Sequence, residues 1–374
     1  MEWAGAKKQA DPLLVSIILL ILGIGLVTLY SASYAYAQRA FNDSNYFISR
    51  QIKFALLGLL LFFIASRINL DLIRRVIKFI VIGTLVLCIL PIFPGLGIVK
   101  NGASRWINIF GFSFQPSELA KIVLPLYLAH MFDKKQDRLH EIKGTTIPLT
   151  IMVLAFFFVV YLQNNFSTAS FLFFNAMVIF FLAGVRFRFF ISFAVVSLPF
   201  ATIMILSREH RLHRLLNFLQ PNWDPLGTGF QVRASILTIM SGGFWGKGIG
   251  QGQRKIASVP EIQSDFIFSS FAEETGFLGV TLFFVMVLFL MFRSYRAALR
   301  SDSVFLRLLL LGIATMLISQ IVLNMAVVAA VVPATGVPLP FFSAGGSSLA
   351  MMLSAAGLLV NGSRQSAKME DANV

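Results

Sequence analysis

Apolar runs constrain this chain more than any other feature. Near 13–36, 47–66, 76–93, 116–132, 146–161, 167–184, 189–206, 266–292, 303–332 and 346–362 they approach the length needed to cross about 30 Å of hydrocarbon. Inside a bilayer only a helix or a closed barrel satisfies its own backbone N–H and C=O groups, and runs of this length read as helices. The expected fold is therefore all-α, a polytopic membrane protein with about ten transmembrane helices in one integral membrane domain over 1–374. No internal repeat and no linker divides it. Of the 374 residues, 57% are hydrophobic and only 13% charged, and 39 are phenylalanine, which excludes a water-soluble globule.

The net charge of +14 has no soluble face to ride on, so no nucleic-acid partner is expected and the cations serve to orient the chain. Most Lys and Arg in the short connections fall on the side of the N-terminus. That bias places both termini, including the tail 363–374, in the cytoplasm. A large extracytoplasmic loop, 207–265, then joins helices 7 and 8. Ala35-Tyr36-Ala37 mimics a signal-peptidase site, but the apolar core before it is too long for a cleaved segment, so it is read as a retained first helix. The single cysteine, Cys88, sits in an apolar run and reads as buried filler, with no disulfide framework around it.

Three connections opening on the far side are rich in Gly, Pro and polar residues: 94–115, 207–265 and 333–345. In SGGFWGKGIGQGQRK (241–255) the P-loop pattern fails, since Ser241 and Gly248 stand where Gly and Ser or Thr are needed. Two readings stay open there, a pyrophosphate cradle using Lys247, Arg254 or Lys255, and a flexible surface loop. His210 and His213 are three apart but lack a third metal ligand, so solvated loop residues are the expectation. Arg208, Arg211 and Arg214 in the same segment form a stripe suited to anionic headgroups.

In NGASRWINIFGFSFQPSELAKI (101–122), Pro116 suits a first helical turn, Ser113 or Ser117 a cap, and Glu118 the positive helix end. Lys121 falls one turn deeper, where an ammonium needs a partner, and Glu118 at i−3 is within reach. The pair either holds the fold or forms an anion site with Arg105. Gln320 and Asn324 read as interhelical hydrogen-bond partners. Pro333, Pro338 and Pro340 with Gly336, Gly345 and Gly346 make 331–348 a stiff connection.

On NGASRWI (101–107), FQPSELAK (114–121), DPLGTGFQ (224–231), GGFWGKGIG (242–250), PEIQSDFIFSSFAEETG (260–276) and GVPLPFFSAGGSS (336–348), in that order, the sequence resembles the SEDS family. These are the shape, elongation, division and sporulation proteins, which include RodA, FtsW and SpoVE. The resemblance implies a ten-helix peptidoglycan glycosyltransferase of the bacterial cytoplasmic membrane that polymerises lipid II and releases undecaprenyl pyrophosphate. It also implies a class B penicillin-binding protein and other division or elongation proteins as partners, beside membrane lipids. The neighbourhood of NGASRWI is closer to FtsW than to RodA. In the family the acid matching Asp265 is assigned to catalysis. The candidate substrate-binding residues are Arg105, Glu118, Lys121, Gln231, Lys247, Ser343, Gly345 and Gly346, supported by Glu261, Glu273, Glu274 and Pro340. Where the family commonly carries LQPDxGT, this chain has LQNNFSTA, so Asn165 replaces an acid, cannot accept a proton, and is left out of the catalytic set.

The implied reaction converts an α-linked sugar pyrophosphate into a β-1,4 bond, an inversion that needs one base. Asp265 fills that role on the sequence reading, with Phe266, Phe268 and Phe271 expected to surround it and raise its pKa. The departing pyrophosphate calls for cations, a divalent ion (Mg or Mn), or both. Glu273, eight residues on, is expected to lie too far round a helix to share the site, and with Glu274 to pair with Lys121 or Arg105. Two other classes remain open, a flippase or transporter and a non-catalytic scaffold. The broken helices and inverted repeats typical of transporters are not read in the sequence.

Overall fold

The computed structural model describes residues 11–100, 102–109, 111–139, 141–220, 228–252 and 262–372. Each of the ten apolar runs becomes a helix. In chain order these are α1 (Pro12–Phe41), α2 (Tyr46–Arg67), α3 (Leu70–Ile89), α4 (Pro116–Lys134), α5 (Ile147–Leu162), α6 (Phe166–Leu182) and α7 (Phe187–Leu206). Two shorter helices, α8 (Glu209–Leu219) and α9 (Thr228–Gly242), lie inside the long connection and precede α10 (Ile267–Leu299), α11 (Val304–Val328) and α12 (Gly346–Ala372).

Among the described residues, seven helical segments are long and apolar enough to cross a membrane, and α6 is apolar but shorter. The packing explains why α4 and α12 fall outside that set. Both are enclosed by other helices, so α4 can carry Glu118 and Lys121, and α12 can be built of small residues, without meeting lipid. α7 is the opposite case: none of its residues is buried, and it presents Val195, Val196, Leu198 and Phe200 outward.

Ordered structure replaces two expected loops. The 94–115 connection forms a three-stranded antiparallel sheet, β1 (Gly97–Lys100), β2 (Ala103–Ile109) and β3 (Phe112–Phe114), with β2 in the middle. Ile107 sits opposite Gly97 on one side and Phe114 on the other, and the ladders satisfy backbone groups that a loose loop would leave open. The expected serine cap of α4 is absent. Gln115 is the N-cap and makes no side-chain cap bond, while Ser113 Oγ accepts from Arg50 Nη2 at 3.1 Å.

α10 is broken, contrary to the sequence reading. Gly276 adopts φ 64° and ψ −167° inside it. The glycine-rich loop after α9 fills the break. Lys247 N donates to Glu273 O at 2.9 Å and Gly248 N to Glu274 O at 3.0 Å, while Phe277 N and Leu278 N donate to Gly243 O and Phe244 O at 2.9 and 3.1 Å. The backbones meet so closely that a Cβ on Gly246 would lie 2.2 Å from Glu274 O, and one on Gly276 would lie 2.2 Å from Gly246 N. At Gly246 this loop has no room to cradle a ligand, and the amides of Lys247 and Gly248 serve a helix interrupted among apolar helices, while Arg254 and Lys255 lie outside the described residues.

At the opposite end, Arg293 Nη2 pairs with Asp11 Oδ2 at 2.5 Å, and Arg74 pairs with Asp133 while lying 4.5 Å over the Phe305 ring. These contacts join α1 to α10 and α3 to α4 and α11.

A Gly246→Ala change forces a Cβ into the Glu274 carbonyl at positive φ and is expected to cost about 1–3 kcal/mol from strain alone, with the clash added. Gly23→Ala in α1, where nothing lies within 4 Å of the new carbon, is expected to be neutral or stabilising by up to about 1 kcal/mol. Melting of the two purified variants in the same detergent checks the contrast.

Candidate functional site

The bundle opens at the end where α2, α4, α6 and α12 begin. A cavity of about 740 Å³ lies there, walled by those four helix starts, β2, α8, residues 264–265 and the 332–338 segment. Helix N-termini carry partial positive charge, and four of them converge on this space. Arg50, Arg105, Arg211 and Arg214 line it as well, against two carboxylates, Asp265 and Glu118. The lining is therefore strongly electropositive.

Glu118 is half of a buried pair. Lys121 Nζ donates to Glu118 Oε1 at 2.8 Å and to Gln320 Oε1 at 3.1 Å, and lies 5.6 Å from the centre of the Phe171 ring. Both charged residues are 2% exposed. Glu118 Oε2 accepts from Ser348 Oγ at 3.0 Å, so α4, α11 and α12 share one network. Beyond it, Gln320 Nε2 donates to Pro338 O at 2.9 Å, and Asn324 Nδ2 donates to both Val337 O and Asp265 O at 2.9 Å. The interhelical role read for Gln320 and Asn324 is thus extended: they hold the proline-rich segment and the backbone of Asp265 to α11.

Asp265 is half-buried and lines the cavity. It does not cap α10, whose N-cap is Phe266. Its Oδ2 passes 3.4 Å from the point where a Cβ on Gly336 would sit. Burial pulls the Arg105 and Arg214 guanidiniums below their ordinary pKa, the proximity of Arg214 adds to this at Arg105, and the Asp265 carboxylate opposes it at both. Two of the three expected aromatic neighbours are engaged elsewhere. Phe268 and Phe271 pack with Phe283, and Phe271 with Phe342, in the core, because the helix begun at Ile267 turns them away.

α8 covers one side of the cavity. Arg211 donates to Tyr161 Oη at 3.1 Å and Met204 O at 2.8 Å, between the rings of Tyr161 and Phe166 at 4.7 and 4.9 Å. Arg214 donates to Ala334 O at 3.3 Å. The headgroup stripe read from the sequence thus sends Arg211 and Arg214 inward, and their three-residue spacing on a helix was the signal for a shared face. His213 meets Glu209 at 3.4 Å on the exposed side, and among the described residues no three His, Cys, Asp or Glu side chains gather as a metal site.

Of the other predicted residues, Gly345 and Gly346 line the cavity. Ser343 and Pro340 are buried behind it; Ser343 Oγ donates to Ser264 O at 2.5 Å and accepts from Leu339 N at 2.8 Å, bracing the residue before Asp265. Gln231 on α9 and the exposed Lys247 lie outside the cavity lining. Glu261 lies outside the described residues. The expected pairing of Glu273 and Glu274 with Lys121 or Arg105 is not seen. Lys121 pairs with Glu118 instead, and Arg105 Nη2 donates to Asn164 O at 2.6 Å. Glu273 accepts from Ser241 Oγ at 3.2 Å, and Glu274 Oε1 from Ser31 Oγ at 2.5 Å and Gly250 N at 3.1 Å, because the break at Gly276 brings the α9 loop against them.

Residues 12–368 match the family model FtsW/RodA/SpoVE, described as cell cycle protein. The chain is 36% identical over 360 residues to stage V sporulation protein E of Bacillus subtilis (strain 168), covering 96% of this chain and 98% of that one. It is 39% identical over 354 residues to the probable peptidoglycan glycosyltransferase FtsW of Geobacter sulfurreducens, covering 95% of each. Among solved structures it is similar to a chain described under "Structural coordination of polymerization and crosslinking by a peptidoglycan synthase complex", with TM-score 0.80, 28% identity, and 97% and 99% of the two chains covered. The rod shape determining protein RodA of Thermus thermophilus aligns with TM-score 0.69 at 26% identity, over 97% of this chain and 98% of that one.

Removing one member of the buried pair leaves the other charge unpaired. Lys121→Met and Glu118→Gln are each expected to destabilise by about 3–5 kcal/mol, and the double variant to recover a large part of the loss. A double-mutant cycle on thermal stability of the purified proteins measures this.

Proposed function

The chain belongs to the FtsW/RodA/SpoVE family of cell cycle proteins, and from that premise we propose that its arginine-lined cavity joins lipid II units, with Asp265 as the base. The protein is a multi-pass membrane peptidoglycan glycosyltransferase, closer to FtsW than to RodA. One observation carries the assignment of the base: Asp265 lies in the same cavity as Arg50, Arg105, Arg211 and Arg214. An acid among four guanidiniums suits a reaction in which an uncharged hydroxyl attacks and a pyrophosphate departs with one more negative charge than it carried when bound to the sugar.

The acceptor's 4-hydroxyl gives its proton to Asp265 as its oxygen attacks the anomeric carbon of the donor from the side opposite the pyrophosphate. The carbon–oxygen bond to the pyrophosphate breaks, the configuration inverts to β, and undecaprenyl pyrophosphate leaves. Its charge falls to the arginines and the four helix starts, whose positions are fixed before the reaction begins. Asn324 and Ser343, by holding the backbone at 264–265, keep the carboxylate in register with that charge.

A metal resident on protein ligands alone does not fit the described residues, and both Glu118 oxygens are already engaged. A divalent cation, Mg2+ or Mn2+, fits as a companion of the substrate, held by its phosphates on the side of the cavity that Asp265 lines. When bound, such an ion supplies further charge neutralisation to the pyrophosphate.

Positive charge in the short connections at the opposite end, such as Arg67, Arg75, Lys134, Lys135 and Arg186, supports cytoplasmic termini and an extracytoplasmic cavity. The apolar outer faces of α7 and α10 suit lipid and a partner's helix. We read that partner as a class B penicillin-binding protein, supported by the similar chain from a synthase complex. A break in a helix favours a transporter only where it lines a pathway. Gly276 lies outside the cavity lining and is filled by the α9 loop, so polymerase is the better reading.

Purified wild-type protein incubated with lipid II in detergent, with its partner present, is expected to yield glycan strands. Asp265→Asn should lower the rate by about 10²–10⁴-fold with an unchanged melting temperature. Normal polymer from that variant overturns the assignment.

A further inference from the structure

The two asparagines that replace Pro-Asp in the family pattern are not passive. Asn164 takes φ 57°, a left-handed value closed to proline, whose ring holds φ near −65°. From that conformation its Nδ2 donates to Gly102 O at 3.1 Å, and its own carbonyl accepts from Arg105 Nη2 at 2.6 Å. The turn before α6 is thereby tied to the turn before β2, and Arg105 is steered over the cavity.

Asn165 follows directly. It is the N-cap of α6, a position where asparagine usually bonds a backbone amide one turn on, yet here its side chain makes no cap bond. It lines the cavity, is 4% exposed, and its buried Nδ2 has no hydrogen-bond partner among the described residues. A buried amide N–H without an acceptor is costly, so the site favours a ligand that brings one. Three more buried donors in the same lining lack a partner among the described residues, Arg105 Nε, Arg214 Nε and the Thr335 hydroxyl. Four unmatched donors on residues around one electropositive space call for an oxyanion with several acceptor oxygens.

We propose that Asn165, through its side-chain amide, is a substrate-contacting donor that completes with Arg105 and Arg214 a site for a phosphate of the pyrophosphate group. The inference rests on the reading of the cavity as the lipid II site and deepens it. An aspartate at this position meets the same phosphate with negative charge, so it has to act there through a cation or a proton. An asparagine needs neither, and this chain holds the phosphate with neutral and guanidinium donors together.

The test uses full-length protein in detergent and follows intrinsic fluorescence, to which Trp106 in the cavity wall contributes, on titration with undecaprenyl pyrophosphate or with undecaprenol. Asn165→Leu, similar in size but without a donor, is expected to weaken undecaprenyl pyrophosphate by about 10- to 100-fold and leave undecaprenol unchanged. Asn165→Asp is expected to weaken it at least as much at pH 7.5 and to regain affinity as the pH falls through the carboxylate range, a response that a purely structural role does not produce. Melting of both variants accompanies the titrations, and Asn165→Asp, isosteric with the native residue, carries the test if Asn165→Leu fails to fold. Wild-type affinity in the Asn165 variants with weakened binding in Arg214→Gln overturns the role of Asn165 and leaves the cavity reading standing. Wild-type affinity in Arg214→Gln as well overturns both.

Discussion

A lysine ammonium shut inside the bundle has to be neutralised, and the architecture of the site follows from how this is done. Lys121 is 2% exposed and meets Glu118, Gln320 and the Phe171 face. Each partner comes with consequences: Glu118 reaches Ser348 at the start of α12, and Gln320 reaches the Pro338 carbonyl in the segment that walls the cavity. One buried charge thus fixes four pieces of chain around the cavity. Such a pair adds little net stability over apolar packing, and its larger effect is to make the alternative arrangements, with a charge left alone, strongly unfavourable.

Upon that floor the reactive side is assembled from backbone holds. Asn324 grips the carbonyl of Asp265, Ser343 that of Ser264, and Gln51 Nε2 that of Ser343 at 2.9 Å. The carboxylate lines the cavity, with Arg105 and Arg214 among its charged neighbours. A base whose negative charge is neutralised as it takes the proton, and an electropositive wall whose charge then turns to the departing group, are supplied by the same few residues. α8 contributes from the opposite side through Arg211 and Arg214, anchored by cation–π contacts with Tyr161 and Phe166.

The helices were legible because each must be apolar over a membrane's thickness. The Glu118–Lys121 pair was legible because an ammonium one turn into an apolar run needs a counter-charge, and the carboxylate three residues before it lies on the same helix face. Less visible were features that depend on distant chain. The sheet at 97–114 is short and has little alternation to announce it. The break at Gly276 can be recognised only when the 243–248 backbone is seen filling it. That same contact engages the amides of Lys247 and Gly248, in a loop whose sequence suits a phosphate cradle. The partners of Glu273 and Glu274 were missed for this reason too, since Ser31 and Gly250 reach Glu274 from a helix and a loop far away in sequence. Asn165, set aside as unable to accept a proton, proves to be an uncommitted donor, a property that residue type alone does not reveal.

The central claim is one of proximity between a carboxylate and a sugar hydroxyl. A structure of the full-length protein with an acceptor glycan bound measures it directly, as the separation between the Asp265 carboxylate and the acceptor's 4-hydroxyl oxygen. The expected separation is about 2.6–3.2 Å, or one intervening water. An acceptor seated in the cavity with that hydroxyl beyond a water's reach of Asp265 contradicts it.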